Sequence, residues 1–178
     1  KGSFFTDQDS FDEMIKEIDG TENLHHIGGN TIVALSMAFA KAVSLTSGAP
    51  LYEHCSITDS KALPYPLGNV LGGGAHAGVA APDIQEFLVL PLGAERFEQA
   101  AFGNARVHRR VKDLVNERDG RFTGGKSDEG AWSPDLDDGE ALEIVTKACE
   151  EISDEIGFEI RPGLDVAASG LYDSKAGE

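Results

Sequence analysis

The sequence contains few cysteines and no cysteine motif. Only two of its 178 residues, Cys55 and Cys149, are cysteine, and they lie far apart in the chain. This spacing argues against a disulfide framework. The absence of a C-x-x-C pair also excludes the metal and redox sites that are built on that motif.

Basic side chains are scarce as well. The chain has 15 lysine and arginine residues against 31 aspartate and glutamate residues, and its net charge is −16. Nucleic acids and anionic membrane surfaces repel such a chain, so we predict that it binds neither. The acidity favours solubility and predicts a salt-adapted host, in which counter-ions screen the repulsion between carboxylates. Apolar residues make up 40% of the chain, which excludes disorder throughout.

No long hydrophobic run is present. The longest uncharged run, residues 27–40, is interrupted by glycine, asparagine, threonine and serine. It is shorter than the roughly 20 apolar residues that cross a bilayer. The chain starts at Lys1 without a methionine or an apolar signal region. We therefore expect a soluble, cytoplasmic protein, and a segment taken from inside a longer chain.

The first 60 residues predict helices. Ser10 is a candidate cap for a first helix that Gly20 ends, and a second helix is predicted over residues 30–47, before Gly48 and Pro50. A short helix is expected at residues 51–54. Because alanine fills several faces of the second helix, we expect it to be buried on more than one side.

The amino-acid composition changes near residues 56–63, after which proline and glycine become frequent. We place a boundary there, between domains 1–60 and 61–178. Beyond it, strands are predicted at residues 67–71 and 84–90, helices at 95–118 and 138–156, and a last strand at 159–167. The order strand, strand, helix, helix, strand predicts an α/β fold. Three strands cannot close an eight-stranded barrel, so we expect an open parallel edge.

Two segments of the second domain carry candidate site residues before the long helices. The glycine-rich loop at residues 72–78 presents His76, either as a mobile active-site group that contacts an anionic substrate or as an exposed histidine on an ordinary turn. Gln85 and Glu86 lie inside an apolar strand. Either one of them faces a site, or both form an outward polar pair at the strand end.

Two further carboxylates follow later in the chain. Glu129 lies in the loop Ser127–Gly130 and, near Glu86, would make an acid/base pair; the alternative is a solvated loop charge. Asp165 interrupts the apolar segment 163–169, where a strand end would present it to a hard cation such as Mg²⁺. One aspartate alone is not a metal site.

Together, in their order along the chain, these segments resemble the enolase family. The resemblance extends from about residue 7 to residue 172. It is carried by Asp19–Asn23, Gly29–Ile32, Ala49–Tyr52, Asn69–Val70 with Gly73–Gly78, Gln85–Phe87, Asp128–Gly130 and Gly163–Ser169. It implies that residues 1–60 are the helical end of an α+β N-terminal domain. Residues 61–178 would then be the first strand–strand–helix–helix–strand part of an enolase-type TIM-like barrel.

The resemblance also implies a reaction and roles for the candidate residues. The reaction is the reversible, Mg²⁺-dependent dehydration of 2-phosphoglycerate to phosphoenolpyruvate in glycolysis. Glu129 would be the proton donor and Glu86 would assist it; His76 would close over the phosphate and Gln85 would contact the substrate. Asp165 would be the first of three carboxylate ligands of Mg²⁺. A homodimer or larger homo-oligomer is implied as well.

The chain departs from the family pattern in places. Gly72 and Ala75 stand where asparagine and serine are more usual, and Gly170 replaces an expected glutamate. The other two Mg²⁺ ligands and the lysine base have no counterpart here, so we interpret the chain as an internal fragment of an enolase from a salt-adapted archaeon. The alternatives are a non-catalytic, truncated enolase-like binding protein and another lyase of the enolase superfamily.

Overall fold

A computed structural model of the chain describes residues 4–56, 62–78, 81–172 and 175. The chain divides into two compact units, Lys1–Lys61 and Ala62–Glu178, which we describe separately. Most of the boundary that we predict from the sequence falls in residues 57–61, outside the described part of the chain.

The first unit contains helices α1 (Gln8–Asp19), α2 (Gly29–Ser47) and α3 (Leu51–His54). Gly20 and Gly48 end α1 and α2 in the left-handed conformation, with φ angles of 68° and 70°, as the sequence predicts. The predicted cap of α1 is wrong. Asp7 is the N-cap residue, and its carboxylate accepts a hydrogen bond of 2.8 Å from the backbone N–H of Ser10. A carboxylate satisfies the first-turn N–H groups and also interacts favourably with the helix dipole.

Helices α1 and α2 pack through a small mixed contact. The rings of Phe11 and Phe39 are stacked with their centroids 4.1 Å apart. Next to them, the side-chain amide of Gln8 donates to the hydroxyl of Ser36 at 2.8 Å, and that hydroxyl donates to Asp12 at 3.0 Å. Aromatic stacking and a short polar chain therefore set how the two helices meet.

The expectation that α2 is buried on more than one side is wrong for the described residues. Within its unit, α2 packs against α1 and α3, and its remaining faces leave apolar side chains exposed. Those side chains are Val33, Leu35, Met37 and Leu45. By length and composition alone, α2 is long and apolar enough to cross a membrane. The uncharged run ends before Lys41, but the helix continues to Ser47. Core helices of soluble proteins share this property.

The second unit has a three-stranded sheet and two long helices. Strands β1 (Gly68–Gly72), β2 (Glu86–Leu90) and β3 (Arg161–Asp165) lie in the order β1-β2-β3, and helices α4 (Phe97–Arg118) and α5 (Asp138–Ile156) pack against them. The predicted order of elements is confirmed. Both strand pairs are antiparallel, so the expected parallel edge is wrong for this part of the chain. Chain direction depends on connections and long-range pairing, which periodicity does not encode.

The core of this unit lies between the sheet and the two helices. It is built from apolar side chains of β1, β2, α4 and α5 and of the segments between the elements, among them Val70, Phe87, Val89, Val107, Val111, Val145 and Cys149. An irregularity in β1 between Asn69 and Leu71 allows both Val70 and Leu71 to be buried.

A short extended segment lies beside β1. The backbone N–H of Trp132 donates to Val70 at 3.1 Å, and the N–H of Gly72 donates to Trp132 at 2.9 Å. The sequence predicts only a glycine-rich loop here. These two bonds attach that loop to the sheet, and so they position the neighbouring residues 127–130.

Candidate active site

Three strand ends meet at one end of the sheet. Glu86, the first residue of β2, pairs with Gly72 at the end of β1 and with Asp165 at the end of β3. The antiparallel direction of β2 is the cause, because it places the start of that strand beside the ends of its neighbours. Directly paired residues of antiparallel strands project their side chains to the same face. Glu86 and Asp165 therefore form a cross-strand carboxylate pair.

The glycine-rich loop packs closely against the segment that enters β2. The N–H of Gly73 donates to the carbonyl of Gln85 at 2.9 Å, and the N–H of Gly74 donates to that of Pro82 at 2.7 Å. A Cβ atom at Gly73 would lie 2.3 Å from the Pro82 oxygen, so only glycine fits there. The loop and Gln85 are thereby held together.

A cleft of about 370 Å³ opens beside this loop. It is lined by the loop, by Gln85 and by residues 166–171, which follow Asp165 in the chain. The backbone of His76 lies in the single helical turn Gly74–His76 next to it. The His76 side chain lies outside the described part of the structure, so its predicted contact with a phosphate stays a prediction.

The loop that carries Glu129 is held by its own backbone. Ser127 N–H donates to Ala131 at 2.8 Å and Gly130 N–H donates to Ser127 at 3.0 Å, with Gly130 at a φ of 85°. The side-chain amide of Asn69 on β1 then donates to Glu129 Oε2 at 2.9 Å. The Glu129 side chain is exposed and so accessible to a substrate.

An aromatic cluster anchors the same loop to α4. The ring of His108 stacks on Trp132 with centroids 4.6 Å apart, and its Nε2 lies 3.1 Å from the carbonyl of Gly130. Trp132 Nε1 donates to the backbone oxygen of His108 at 2.6 Å, and Lys126 Nζ lies 4.4 Å from the Trp132 ring centre. Burial lowers the pKa of His108, and the charge of Lys126 adds to that effect. A neutral ring donates one N–H, here to Gly130.

Two of the predicted site residues, Glu86 and Asp165, are brought together directly by strand pairing. Glu129 is attached to β1 at Asn69, three residues before the position that pairs with Glu86. Sequence reasoning assigned no role to Asn69 or His108. A polar amide inside the otherwise apolar β1 was the available signal for Asn69.

Asp165 offers oxygen to a cation but not a complete site. Its carboxylate is exposed, and its Oδ1 accepts a hydrogen bond of 3.0 Å from the N–H of Ala167. Hard cations such as Mg²⁺ take about six oxygen ligands. In the described ranges no three histidine, cysteine, aspartate or glutamate side chains are grouped to hold a metal ion. The donor type fits Mg²⁺, and the other ligands would have to come from elsewhere.

Comparison with known proteins gives consistent results over nearly the whole chain. A family model described as the enolase C-terminal TIM barrel domain matches residues 60–178, and one described as the enolase N-terminal domain matches residues 1–55. The enolase of Methanothermobacter thermautotrophicus is 54% identical over 94% of this chain and 40% of its own length. Enolases of Archaeoglobus fulgidus (47% identical) and Haloarcula marismortui (48% identical) each match 95% of this chain and 42% of their own length. The chain thus spans about 40% of the length of these curated relatives.

Proposed function

The chain belongs to the enolase family, and from this premise we propose that the complete protein containing it is an Mg²⁺-dependent enolase. It would dehydrate 2-phosphoglycerate reversibly to phosphoenolpyruvate. The observation that carries this proposal is the pairing of Glu86 with Asp165 beside the cleft that Gln85 lines. A proton-transfer group and a potential metal ligand are thereby adjacent on one end of the sheet.

In this proposal Glu129 protonates the hydroxyl group that leaves. Loss of a hydroxyl needs a proton donor within hydrogen-bond reach of its oxygen, and Glu129 is exposed on a loop whose backbone is fixed. Glu86 assists it from the start of β2. Gln85 contacts the substrate from the wall of the cleft, and His76 contacts the phosphate from the glycine-rich loop.

Asp165 would be one ligand of Mg²⁺, with the other ligands outside residues 1–178. The substrate carries a phosphate and a carboxylate, while the chain has a net charge of −16. Anionic groups beside Glu86 and Asp165 therefore need a compensating positive charge. When bound, a divalent cation supplies it and stabilises the charge that develops on the substrate carboxylate.

The family and the net charge support a proposal about where the protein acts and how it assembles. We propose a cytoplasmic enzyme that acts in glycolysis and assembles as a homodimer or larger homo-oligomer. The relatives in archaea, including Haloarcula marismortui, support a salt-adapted host. The absence of nucleic acid and membrane partners stays a prediction from the net charge.

Glu129→Gln in the complete protein tests the function. Removing a positioned proton donor costs about 10²–10⁴-fold in rate, so we expect phosphoenolpyruvate formation to fall by at least 100-fold. The thermal unfolding midpoint should stay near that of the wild type, because the side chain is exposed. Glu143→Gln, the same substitution at an exposed position of α5, is the control and should retain full activity. Phosphoenolpyruvate formation at the wild-type rate by the Glu129→Gln variant would remove Glu129 from its proposed role, and failure of the wild-type complete protein to form phosphoenolpyruvate would refute the proposed function.

A further inference from the structure

We propose that Asn69 is a positioning residue for Glu129, whose carboxyl group it can orient in both its ionised and its protonated form. This inference rests on the proposed function, in which Glu129 is the proton donor. It concerns a residue of β1 that lies 60 positions before Glu129 in the sequence.

The contact fixes a side chain whose backbone is already held. The hydrogen bonds of Ser127, Gly130 and His108 place the loop without any help from Asn69. An exposed glutamate side chain on that loop still has several rotatable bonds and many rotamers. The 2.9 Å bond from Asn69 Nδ2 to Glu129 Oε2 restricts them, because Asn69 is half-buried on a strand of the sheet.

The bond also selects the oxygen that carries the proton. While Nδ2 donates to Oε2, that oxygen acts as an acceptor, so in this orientation of the amide a proton on the carboxyl group resides on Oε1. The transferable proton is therefore on the oxygen that does not face Asn69.

The carbonyl end of the Asn69 amide allows a contact with the protonated form of Glu129. Asn69 Oδ1 is buried and has no hydrogen-bond partner among the described residues, which is a costly arrangement for an acceptor. A half-turn of the amide about its Cβ–Cγ bond would bring Oδ1 to Glu129, and in that second orientation the amide can accept from the carboxyl group when the proton lies on Oε2 instead of Oε1. A side-chain amide is suited to this because it has a donor on one side and an acceptor on the other.

Asn104 on α4 offers a matched control. Its Nδ2 donates to the backbone carbonyl of Pro66 at 2.7 Å, and its Oδ1 is likewise buried and unpartnered within the described segments. Its partner is a carbonyl group, which does not ionise. Loss of this amide removes a similar structural hydrogen bond whose acceptor takes no part in proton transfer.

The test uses Asn69→Leu, Asn69→Asp and Asn69→Gln, with Asn104→Leu as control, in the complete protein. We expect Asn69→Leu to lower kcat by at least 10-fold with KM changed less than 3-fold, and Asn69→Gln, which keeps the amide, to recover part of the loss. Asn69→Asp places a like charge beside Glu129 and should move the alkaline limb of the pH profile of kcat upward. Asn104→Leu should lower the unfolding midpoint and leave kcat and its pH profile unchanged.

Two results would overturn the inference. One is a wild-type kcat and pH profile in Asn69→Leu and Asn69→Asp; the other is a kcat loss in Asn104→Leu as large as that in Asn69→Leu. Side-chain ¹⁵N–¹H spectra of the wild type and of Glu129→Gln test whether the Asn69 amide contacts Glu129 in solution. This measurement does not depend on whether Asn69→Leu folds. We expect the Asn69 amide signal to shift, and an unmoved signal would refute the inference. A shifted signal together with full activity of Glu129→Gln would refute the proton-donor role of Glu129, on which the inference rests, whereas a wild-type protein that forms no phosphoenolpyruvate would refute the proposed function.

Discussion

Asp165 shows how much of the site depends on single side chains. It ends β3, pairs with Glu86, and has one oxygen engaged by the N–H of Ala167. Ala167 itself has a φ of 48°, so the chain turns sharply after the strand and leaves the carboxylate at the sheet end. This local geometry leaves Asp165 exposed to a cation, and its proposed role can be measured directly.

Asp165→Asn in the complete protein should weaken Mg²⁺ binding. Even the loss of a group that only supports a metal ligand costs about 10–100-fold in affinity, so losing a ligand charge should cost at least as much. Isothermal titration with MgCl₂ after EDTA treatment measures the change. Asp154→Asn, on an exposed position of α5, is the control that should leave the affinity unchanged. An unaltered Kd in Asp165→Asn would remove Asp165 from the metal site.

At the scale of elements, α5 shows how the sheet and helices are held together. Its start is capped reciprocally: Asp137 accepts from the N–H of Glu140 at 2.8 Å, and Glu140 accepts from the N–H of Asp137 at 3.1 Å. Its inner face buries Val145 and Cys149, while on its outer face Glu151 pairs with Arg110 of α4 at 2.5 Å. Such partly exposed ion pairs contribute at most about 1 kcal/mol, so burial of the apolar face dominates.

Burial of Cys149 predicts slow and pH-dependent reactivity. Burial raises the pKa of the Cys149 thiol to about 12, and the charge of Glu150 adds to this. We expect iodoacetamide at pH 8 to label Cys149 only after unfolding, because the thiolate is the reacting form. Peptide mass spectrometry with and without guanidinium chloride measures the labelling, and exposed Cys55 provides the comparison. Equal labelling rates of Cys149 in the native and unfolded protein would contradict the predicted packing of α5.

The same shift gives the sign of a stability effect. The folded-state pKa of Cys149 lies above the ordinary value of 9.0, so the unfolded chain loses this proton first as the pH rises. The contribution to stability is complete below pH 9 and is lost progressively between pH 9 and about 12.

At the scale of the whole molecule, charge is the dominant feature. With 31 acidic and 15 basic side chains, the folded chain concentrates a net charge of −16. Ion pairs offset some of the 31 acidic charges, for example those of Arg106 with Glu155 and of Arg118 with Glu140, and the net charge already includes this effect. The remaining carboxylates repel one another, and this repulsion is stronger in the compact state than in the unfolded chain.

Potassium chloride should therefore stabilise the complete protein. The screening length falls from about 10 Å at 0.1 M salt to about 3 Å at 1 M, which removes most of the repulsion between surface carboxylates. We expect the thermal unfolding midpoint to rise by several degrees between 0.1 and 1 M KCl, measured by circular dichroism. Potassium glutamate at the same ionic strength separates screening from a specific chloride effect. Equal midpoints in dilute and molar salt would argue against salt adaptation.

Much of the architecture could be predicted because its causes are local. Gly20 and Gly48 end their helices through their own left-handed backbone conformation, which does not depend on distant residues. The helical spacing of apolar residues in 138–156 likewise predicts α5 at its observed bounds. Asp7 was missed because several polar residues precede α1, and only the actual hydrogen bond identifies the cap. The burial of α2 was overestimated because apolar faces reveal what a helix can bury, not which neighbours the chain supplies.

For the candidate site, the sequence alone determined the chemical groups: Glu86, Glu129 and Asp165, in an order that resembles the enolase family. Only the tertiary structure decided which of them meet. The antiparallel direction of β2 brings the start of one strand to the end of another, and Asn69 reaches Glu129 across 60 residues. Residue patterns report periods of two or 3.6 positions, whereas strand direction and register are set by hydrogen bonds between distant segments.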